Sequence, residues 1–268
     1  MTQWIVDVVG DGYGQALQVG DILYDRRSAF QHVQVVTSPL YGRMLVLDDA
    51  VQTTERDEHV YHEMLVHLPM AVHPDPHRVL IIGGGDGGTL EEVLKHPVAE
   101  ATMVEIDRDV VDVSRAFLPA IAGGAFDDPR ACLLIDDGID FVRRTAETFD
   151  VILVDSTDPK GPGVALFSEE FYRLCRAILT PHGVVSVQSG SLLYQRDLMA
   201  LVARHLGAVF PTVAPFWAAI PAYPGTLWTF TLAAVDGDPR RPRAVPLAGL
   251  RYYSPAVHQA ALALPPLP

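Results

Sequence analysis

Acidic residues follow several strand-like segments of this chain. Asp86 lies inside a glycine-rich turn, Asp155 ends the segment DVILVD, and Asp158 comes three residues later. Because ligands of parallel sheets bind outside the carboxyl ends of the strands, we expect these carboxylates to meet at one site. We find no convincing set of metal ligands among them, and clustered carboxylates without a metal favour an organic cation.

The segment VLIIGGGDGGTLEEVLKH (residues 79–96) carries a nucleotide-type glycine pattern between an apolar strand and a helix. Gly83, Gly85 and Gly88 satisfy G-x-G-x-x-G, and Glu105 ends the next strand, where it can accept hydrogen bonds from ribose hydroxyls. These residues predict a nucleoside site. The pattern alone fits an NAD(P)-dependent oxidoreductase as well as an enzyme that binds an S-adenosyl compound.

Asp86 favours the S-adenosyl compound. A dinucleotide would place its pyrophosphate at the start of the helix, where like charges at ~4 Å repel by several kcal/mol. Intact S-adenosylmethionine has no phosphate but keeps a carboxylate, whereas decarboxylated S-adenosylmethionine ends in an ammonium that suits Asp86. We therefore predict the decarboxylated compound as a co-substrate. Asp86 as a mere helix cap, an oxidoreductase and a methyltransferase stay open alternatives.

The segment HVYHEMLVH has some likeness to a zinc motif. His62 and His67 are five positions apart, which places them about 140° apart around a helix, so we predict no metal site. Tyr61, Tyr223 and Trp228 could instead form aromatic walls for the methylenes of a diamine and for cation–π contact.

Composition limits the partners and the location. The 268 residues are 49% hydrophobic, enough for a large domain with a smaller companion, and a net charge of −13 disfavours nucleic acids and anionic membranes. Residues 206–235 lack charges but contain four prolines, so we predict two buried strands around a loop and no membrane span. Cys132 and Cys175 are expected to be buried free thiols. With no export signal visible, we expect a cytoplasmic protein.

The hydrophobic pattern changes along the chain. Up to about Thr54 the chain reads as the antiparallel strands of a small β domain, which we assign to residues 1–62. The next element is a helix with Thr54 as its N-cap and Pro69 as its stop. From Arg78, apolar strands alternate with amphipathic helices, which predicts an α/β domain over residues 63–268. This domain is expected to have a mostly parallel, Rossmann-type, methyltransferase-like sheet with helices on both faces. The Pro- and Arg-rich tail after Asp236 is expected to be a solvated surface segment.

Several long motifs together resemble the polyamine aminopropyltransferases, specifically the bacterial-type spermidine synthases. They include YGRMLVLDDAVQTTERDEHVYHEM, the glycine-rich segment, VEID, DDGIDF, DVILVDSTDPKGP, LFSEEFY and IPAYPGTLWTF, and they cover nearly the whole chain. The resemblance implies transfer of an aminopropyl group from decarboxylated S-adenosylmethionine to putrescine, giving spermidine and 5′-methylthioadenosine. It also implies a dimer or tetramer formed through the β domain, and no resident cofactor.

The resemblance also implies roles for individual residues. Asp155 is similar to the family's proton acceptor. The set implied for the nucleoside is Gln31, Glu105, Asp137, Gly138 and Pro162, with Asp86 at the aminopropyl chain. The set implied for the polyamine is Gln52, Tyr61, His62, Asp86, Asp155, Asp158, Gln188 and Tyr223.

Departures from the family pattern put the acceptor amine in doubt. Ala222 and Thr226 replace a threonine and a glycine that many members have, and DDG replaces the commoner GDG. Cadaverine, diaminopropane and agmatine stay open as acceptors, as does a non-catalytic, polyamine-binding member. Loss of Asp155 or Asp158 would have been the mark of that last alternative, and both residues are present.

Overall fold

The N-terminal part consists of two small antiparallel sheets. The computed structural model describes residues 3–10, 12–159, 161–244 and 247–264. The two-stranded sheet pairs β1 (Gln3–Val8) with β2 (Gly14–Val19). The four-stranded sheet contains, in spatial order, β3 (Ile22–Arg27), β4 (His32–Ser38), β5 (Gly42–Leu47) and β6 (Ala50–Thr54). Both sheets bear out the predicted antiparallel β region.

The larger part is built on a seven-stranded sheet. Its strands in chain order are β7 (Arg78–Gly83), β8 (Glu100–Glu105), β9 (Ala131–Ile135), β10 (Phe149–Asp155), β11 (Leu179–Ser191), β12 (Thr212–Ala219) and β13 (Leu227–Ala234). Their spatial order is β12-β13-β11-β10-β7-β8-β9. The five strands from β11 to β9 are parallel, and β13 and β12 are antiparallel to their neighbours. The prediction of a mostly parallel sheet is confirmed.

Helices cover both faces of this sheet. They are α1 (Glu58–Val72), α2 (Gly88–Leu94), α3 (Arg108–Phe117), α4 (Pro119–Ala122), α5 (Gly138–Arg144), α6 (Glu169–Ala177), α7 (Arg196–Gly207) and α8 (Pro255–Ala261). Alternate residues of β7 point to opposite faces. Val79 packs in a cluster with residues of α1 and α2, whereas Leu80 packs in one with residues of α5, α6 and α7.

Helix α1 departs from its predicted ends. Thr54 belongs to β6, and the N-cap position is that of Asp57, because the helix begins at Glu58. The carboxylate of Asp57 makes no cap bond, since it accepts the Thr54 hydroxyl at 2.7 Å and the backbone N–H of Ala222 at 2.8 Å. Pro69 lies inside the helix and does not end it. Residues 60–71 of α1 are all buried, and this packing outweighs the single hydrogen bond that Pro69 cannot donate.

Two further expectations are corrected. Cys175 is buried as predicted, but Cys132 is exposed because it lies on β9, the edge strand of the sheet. The tail after Asp236 is only partly a solvated segment. It contains helix α8, where His258 is buried and shares a hydrogen bond with the Tyr253 hydroxyl at 2.8 Å.

The uncharged stretch from 206 to 235 forms strands β12 and β13 with an intervening loop, as predicted. Within the part of the chain that the structure describes, no helix is both long and apolar enough to cross a membrane. The predicted division into residues 1–62 and 63–268 stays a prediction; α1 runs across it.

Candidate active site

A cavity of about 280 Å³ lies at the carboxyl ends of β7, β8 and β10, under the N-terminal sheets. Most of the residues expected to bind substrates line it: Gln31, Gln52, Tyr61, Asp86, Glu105, Asp137, Gly138, Asp155, Asp158, Gln188 and Tyr223. His62 lies behind the wall, and the side chain of Pro162 lies outside the described part of the chain. The strand ends that the sequence predicts to meet therefore do meet at this cavity.

The glycine turn brings two backbones unusually close. A Cβ atom on Gly83 would overlap the carbonyl oxygen of Asp155, and the N–H of Gly84 donates to the same oxygen at 2.9 Å. Gly83, Gly84 and Gly87 have φ of 84°, 76° and 83°, which only glycine adopts without strain. The turn thereby places Asp86 beside the end of β10.

Asp86 both caps a helix and lines the cavity. Its Oδ1 accepts the N–H of Gly88 at 2.9 Å, at the start of α2, so the capping alternative describes part of its role. Its Oδ2 lies 3.4 Å from Nε2 of His62. The residue is only 8% exposed, so its charge acts in a region that water screens poorly.

Asp155 is held by two hydroxyl groups. Tyr61 donates to Oδ1 at 2.8 Å, and Thr89 donates to Oδ2 at 2.6 Å. Burial and then the charge of Asp86 raise the pKa of Asp155 above its usual value, although His62 and the two hydroxyls oppose this. A carboxylate with a raised pKa is a better proton acceptor than an ordinary aspartate.

His62 is buried between two carboxylates. Its Nδ1 is 2.9 Å from Oε2 of Glu58, and its Nε2 faces Asp86. Burial lowers the pKa of His62, but Asp86 and Glu58 together outweigh this, so the pKa lies well above 6.5. This favours the imidazolium form, in which both ring nitrogens can donate to the facing carboxylates. His62 stands behind Asp86 and does not line the cavity, and the contact with the polyamine chain that the resemblance implies stays a prediction.

His62, Asp86 and Asp155 offer one nitrogen and two oxygen atoms within 4.8 Å of one another, close enough for a metal ion. The donor chemistry argues otherwise. A metal needs the lone pair of a neutral imidazole, and here both ring nitrogens face carboxylates, as those of an imidazolium do. The group suits an organic cation better. His67, five residues on, takes no part in it and contacts His96 and Glu92.

The end of the cavity at β8 contains the residues predicted to contact the nucleoside. Glu105 is 7% exposed, and burial raises its pKa to about 7. Gln31 reaches across from the β3–β4 loop and donates to Asp107 at 2.9 Å. Asp137 caps α5 by accepting the N–H groups of Ile139 and Asp140 at its Oδ1.

The other end of the cavity is aromatic and acidic. Tyr223 packs edge-on against Tyr61 and Trp228, with ring centroids 5.8 and 4.8 Å apart, and all three rings line the cavity. Their contact with a diamine stays a prediction. The Tyr223 hydroxyl donates to the carbonyl oxygen of Gln52. Asp158 accepts from Gln195 Nε2 at 2.7 Å, while its Oδ1 is buried without a hydrogen-bond partner in the described structure.

Sequence reasoning missed four residues of this site: Thr89, Gln195, Phe30 and Asp7. Phe30 and Asp7 line the cavity from the N-terminal part, whereas Thr89 and Gln195 hold Asp155 and Asp158 in place. Thr89 could have been suggested by its place one turn after Asp86. The other three lie far from the acids in sequence, so only the tertiary fold brings them near.

Comparisons with known proteins agree with this geometry. Residues 58–239 match the family model for the spermine/spermidine synthase domain, and residues 3–55 match the spermidine synthase tetramerisation domain. The chain is 44% identical to a polyamine aminopropyltransferase of Desulforudis audaxviator (strain MP104C), over 99% of this chain and 97% of that protein. It is 45% identical to one of Pseudomonas syringae pv. tomato (strain ATCC BAA-871 / DC3000), over 95% and 92%.

Two solved structures are also similar. A spermidine synthase in complex with the transition state analogue AdoDATO superposes with a TM-score of 0.92 and 38% identity, covering 98% of this chain and 92% of that one. The spermidine synthase from Thermotoga maritima gives 0.90 and 38%, covering 98% and 91%. The chain therefore belongs to the spermine/spermidine synthase family, the polyamine aminopropyltransferases.

Proposed function

We propose that the enzyme transfers the aminopropyl group of decarboxylated S-adenosylmethionine to putrescine and releases spermidine and 5′-methylthioadenosine. One observation carries this proposal: Asp86, in the nucleoside turn, and Asp155 lie within 4.8 Å of each other in one buried cavity. A cavity with a ribose-type site at one end and two adjacent carboxylates suits a nucleoside that bears a cationic arm. No resident cofactor is needed for this reaction.

The donor is expected to lie with its ribose on Glu105 and its base near Asp137 and Gly138. Its aminopropyl arm would then run past the glycine turn, where Asp86 binds the terminal ammonium. An intact S-adenosylmethionine would bring its carboxylate towards Asp86 and Asp155. This repulsion supports selection of the decarboxylated donor.

The reaction is an in-line displacement at the carbon that bears the sulfonium. The attacking nitrogen forms the new C–N bond while the C–S bond breaks. The electron pair of the C–S bond leaves with the sulfur, which becomes a neutral thioether. A primary amine with a pKa near 10.4 is protonated at pH 7, and freeing it costs roughly 4–5 kcal/mol. Asp155, with its raised pKa, orients the attacking nitrogen and accepts its proton.

The acceptor must be held asymmetrically, because a carboxylate that binds an ammonium also keeps it protonated. We propose that Asp158 binds the distal ammonium. Its Oδ1 is buried and unpaired in the described structure, while Gln195 fixes its other oxygen. Tyr61, Tyr223 and Trp228 would contact the methylenes between the two nitrogens. Gln52 and Gln188, which also line the cavity, are proposed as further contacts.

The test is the release of 5′-methylthioadenosine, followed by chromatography. The enzyme receives decarboxylated or intact S-adenosylmethionine, each with putrescine, cadaverine, diaminopropane or agmatine. Release with the decarboxylated donor alone, fastest with putrescine, is the expected result. A faster rate with another amine would replace putrescine as the acceptor, and no release despite nucleoside binding would contradict catalysis. Retained activity in a chelator would support a site without metal.

We further infer that copies of the chain associate through β1. Trp4, Val6 and Val8 are exposed by 56%, 52% and 58% and point to one side of the strand. Such an apolar face is typical of an interface between chains, and it lies in the segment that matches a tetramerisation domain. Light scattering that gave the mass of one chain would contradict this. The cytoplasmic location stays a prediction.

A further inference from the structure

A neutral amide holds the carboxylate that we propose for the distal ammonium of the acceptor. Asp158 lies in the loop after β10 and lines the cavity. Its Oδ2 accepts from Nε2 of Gln195 at 2.7 Å, and its Oδ1 is buried without a hydrogen-bond partner in the described structure. Among the described residues, neither a lysine nor an arginine pairs with this carboxylate. Gln195 thus holds the carboxylate without neutralising its charge.

The amide of Gln195 fits between its two partners in one orientation. Its Oε1 accepts the backbone N–H of Ser191 at 2.8 Å, while its Nε2 donates to Asp158. If the two ends of the amide were exchanged, its NH₂ group would face an N–H donor and its oxygen would face a carboxylate. The two contacts therefore fix the amide. Because Oδ2 of Asp158 is bound to it, Oδ1 is the oxygen that is left for an ammonium.

The segment that carries Gln195 is itself closely packed. The backbone N–H of Gln195 donates to the carbonyl oxygen of Ser191 at 2.9 Å, which closes a turn between β11 and α7. A Cβ atom on Gly190 would lie 2.6 Å from Oε1 of Gln195, so a larger residue there would displace the amide. Tyr194 stacks on Tyr13, which precedes β2, with ring centroids 3.8 Å apart. The protein therefore holds the amide in place before any acceptor binds.

We propose that Gln195 is a positioning residue that makes the enzyme prefer a diamine to a monoamine of the same length. This inference rests on the proposed function, in which Asp158 binds the distal ammonium. A carboxylate that is already fixed meets the ammonium without a further loss of conformational freedom. Without Gln195, the carboxylate is free to turn within its loop. Gln195 does not line the cavity, so it acts through Asp158.

The effect of Gln195 should appear only with acceptors that carry a second nitrogen. Butylamine has the carbon chain and the attacking nitrogen of putrescine but no distal ammonium. Asp158 has no ammonium to bind in butylamine, so the position of its carboxylate should not change the rate with this amine. Binding of the nucleoside should not change either, because the proposed nucleoside contacts, Glu105 and Asp137, make no hydrogen bond with Gln195.

The test compares Gln195→Leu with a matched control, Gln34→Leu. Gln34 on β4 also donates to an aspartate, at 2.8 Å from Oδ2 of Asp25, but neither of these two residues lines the cavity. Its replacement removes the same kind of hydrogen bond outside the site. Release of 5′-methylthioadenosine gives kcat/KM for putrescine and for butylamine at saturating decarboxylated S-adenosylmethionine. Calorimetry with 5′-methylthioadenosine shows that each variant is folded and that its nucleoside site is intact.

We expect kcat/KM for putrescine to fall about tenfold in Gln195→Leu, mainly through KM, because one hydrogen bond to a charged group is lost. The value for butylamine and the Kd of 5′-methylthioadenosine should stay within about twofold of the wild type. The preference for the diamine therefore falls by the same factor as the value for putrescine. Gln34→Leu should keep the wild-type preference. Gln195→Met, which is unbranched like glutamine, replaces the leucine variant if that variant does not fold.

Three results would overturn the proposal: an unchanged value for putrescine in Gln195→Leu, an equal loss with both amines, or the same loss of preference in Gln34→Leu. The second would assign Gln195 a general structural role. A wild type that uses butylamine as well as putrescine would also overturn it, while transfer to putrescine would still support the proposed function. If the wild type releases no 5′-methylthioadenosine with any amine, the proposed function itself fails.

Discussion

Two histidines on α1 occupy opposite electrostatic states although both are buried. His62 lies between the carboxylates of Glu58 and Asp86, and its pKa is well above 6.5. His67 lies 2.9 Å from the carboxylate of Glu92, yet burial, assisted by the ammonium of Lys95, lowers its pKa to about 3 despite the opposing charge of Glu63. Lys95 already pairs with Glu92 at 2.8 Å.

The difference indicates that the nearest carboxylate alone does not set the direction of the pKa shift: burial lowers the pKa of both histidines, and only at His62 do the two carboxylates outweigh it. Lys95 already neutralises the charge of Glu92, so Glu92 does little to stabilise a protonated His67. Asp86 has neither a lysine nor an arginine among its described contacts, and the positive charge beside it comes from His62. We therefore expect changes on the His62 side to affect catalysis, and changes on the His67 side to affect local structure only.

The largest effect is expected for Asp155→Asn. The variant keeps an acceptor for the Tyr61 hydroxyl but cannot accept a proton, so turnover should fall by at least ~10²-fold. Binding of 5′-methylthioadenosine, measured by calorimetry, should survive because Asp155 lies beyond the ribose site. Near-normal turnover would contradict the role of Asp155 as the proton acceptor. It would also leave no reason to expect changes near His62 to affect catalysis more than changes near His67.

Glu105 extends the comparison to a buried acid. No cationic group is among the causes of its pKa shift. Its pKa is raised to about 7 in the folded protein, so its contribution to stability is full at low pH and is lost as the pH rises through 7. The free energy of unfolding should fall by about 2 kcal/mol between about pH 5 and 7 relative to Glu105→Gln. Denaturant titrations at several pH values measure this, and parallel curves for the two proteins would contradict it.

Gly88→Ala should cost about tenfold in kcat, because the added methyl group displaces the ring of His62 and disturbs Asp86. Gly207→Ala is the matched control. It adds the same group at the end of α7, where, apart from the adjoining residues and the helix backbone, no atom of the described structure lies within 4 Å of the added carbon. Steady-state assays of both variants measure the difference, and equal activities would show that the position of His62 does not matter.

The smallest effect on turnover is expected for Lys95→Met. Removal of this ammonium should raise the pKa of His67 while kcat stays within about twofold of the wild type. An NMR titration of histidine ring signals reports the pKa. An unchanged pKa would show that burial alone keeps His67 neutral. A large loss of turnover would show that the surroundings of His67 affect catalysis as well as those of His62.

The sequence predicts the framework of the site well, because each acid follows a strand whose apolar run is easy to recognise. Asp86, Glu105 and Asp155 lie at the ends of neighbouring strands of a parallel sheet, so their proximity follows from topology alone. It could not predict that His62 stands behind Asp86, since that depends on how α1 packs against α2. The same packing accommodates Pro69 inside a helix that the local sequence predicts to end there.

Residues far apart in sequence account for most of the remainder. Gln195 reaches Asp158, and Asp57 binds the backbone of Ala222, across 37 and 165 positions. No local pattern specifies such pairs. Cys132 was misplaced for a related reason: its strand is apolar enough for a central position, but the sheet order puts it at the edge.

The contact between Gly83 and Asp155 has a consequence for how the enzyme can diverge. These residues are partners in adjacent strands, so the separation between the glycine turn and Asp155, the proposed proton acceptor, is one interstrand repeat of the sheet. No single substitution can lengthen or shorten it without breaking the fold. Adaptation to longer or shorter amines must therefore occur in the loops at the aromatic end, while the reacting centre stays fixed as those loops vary.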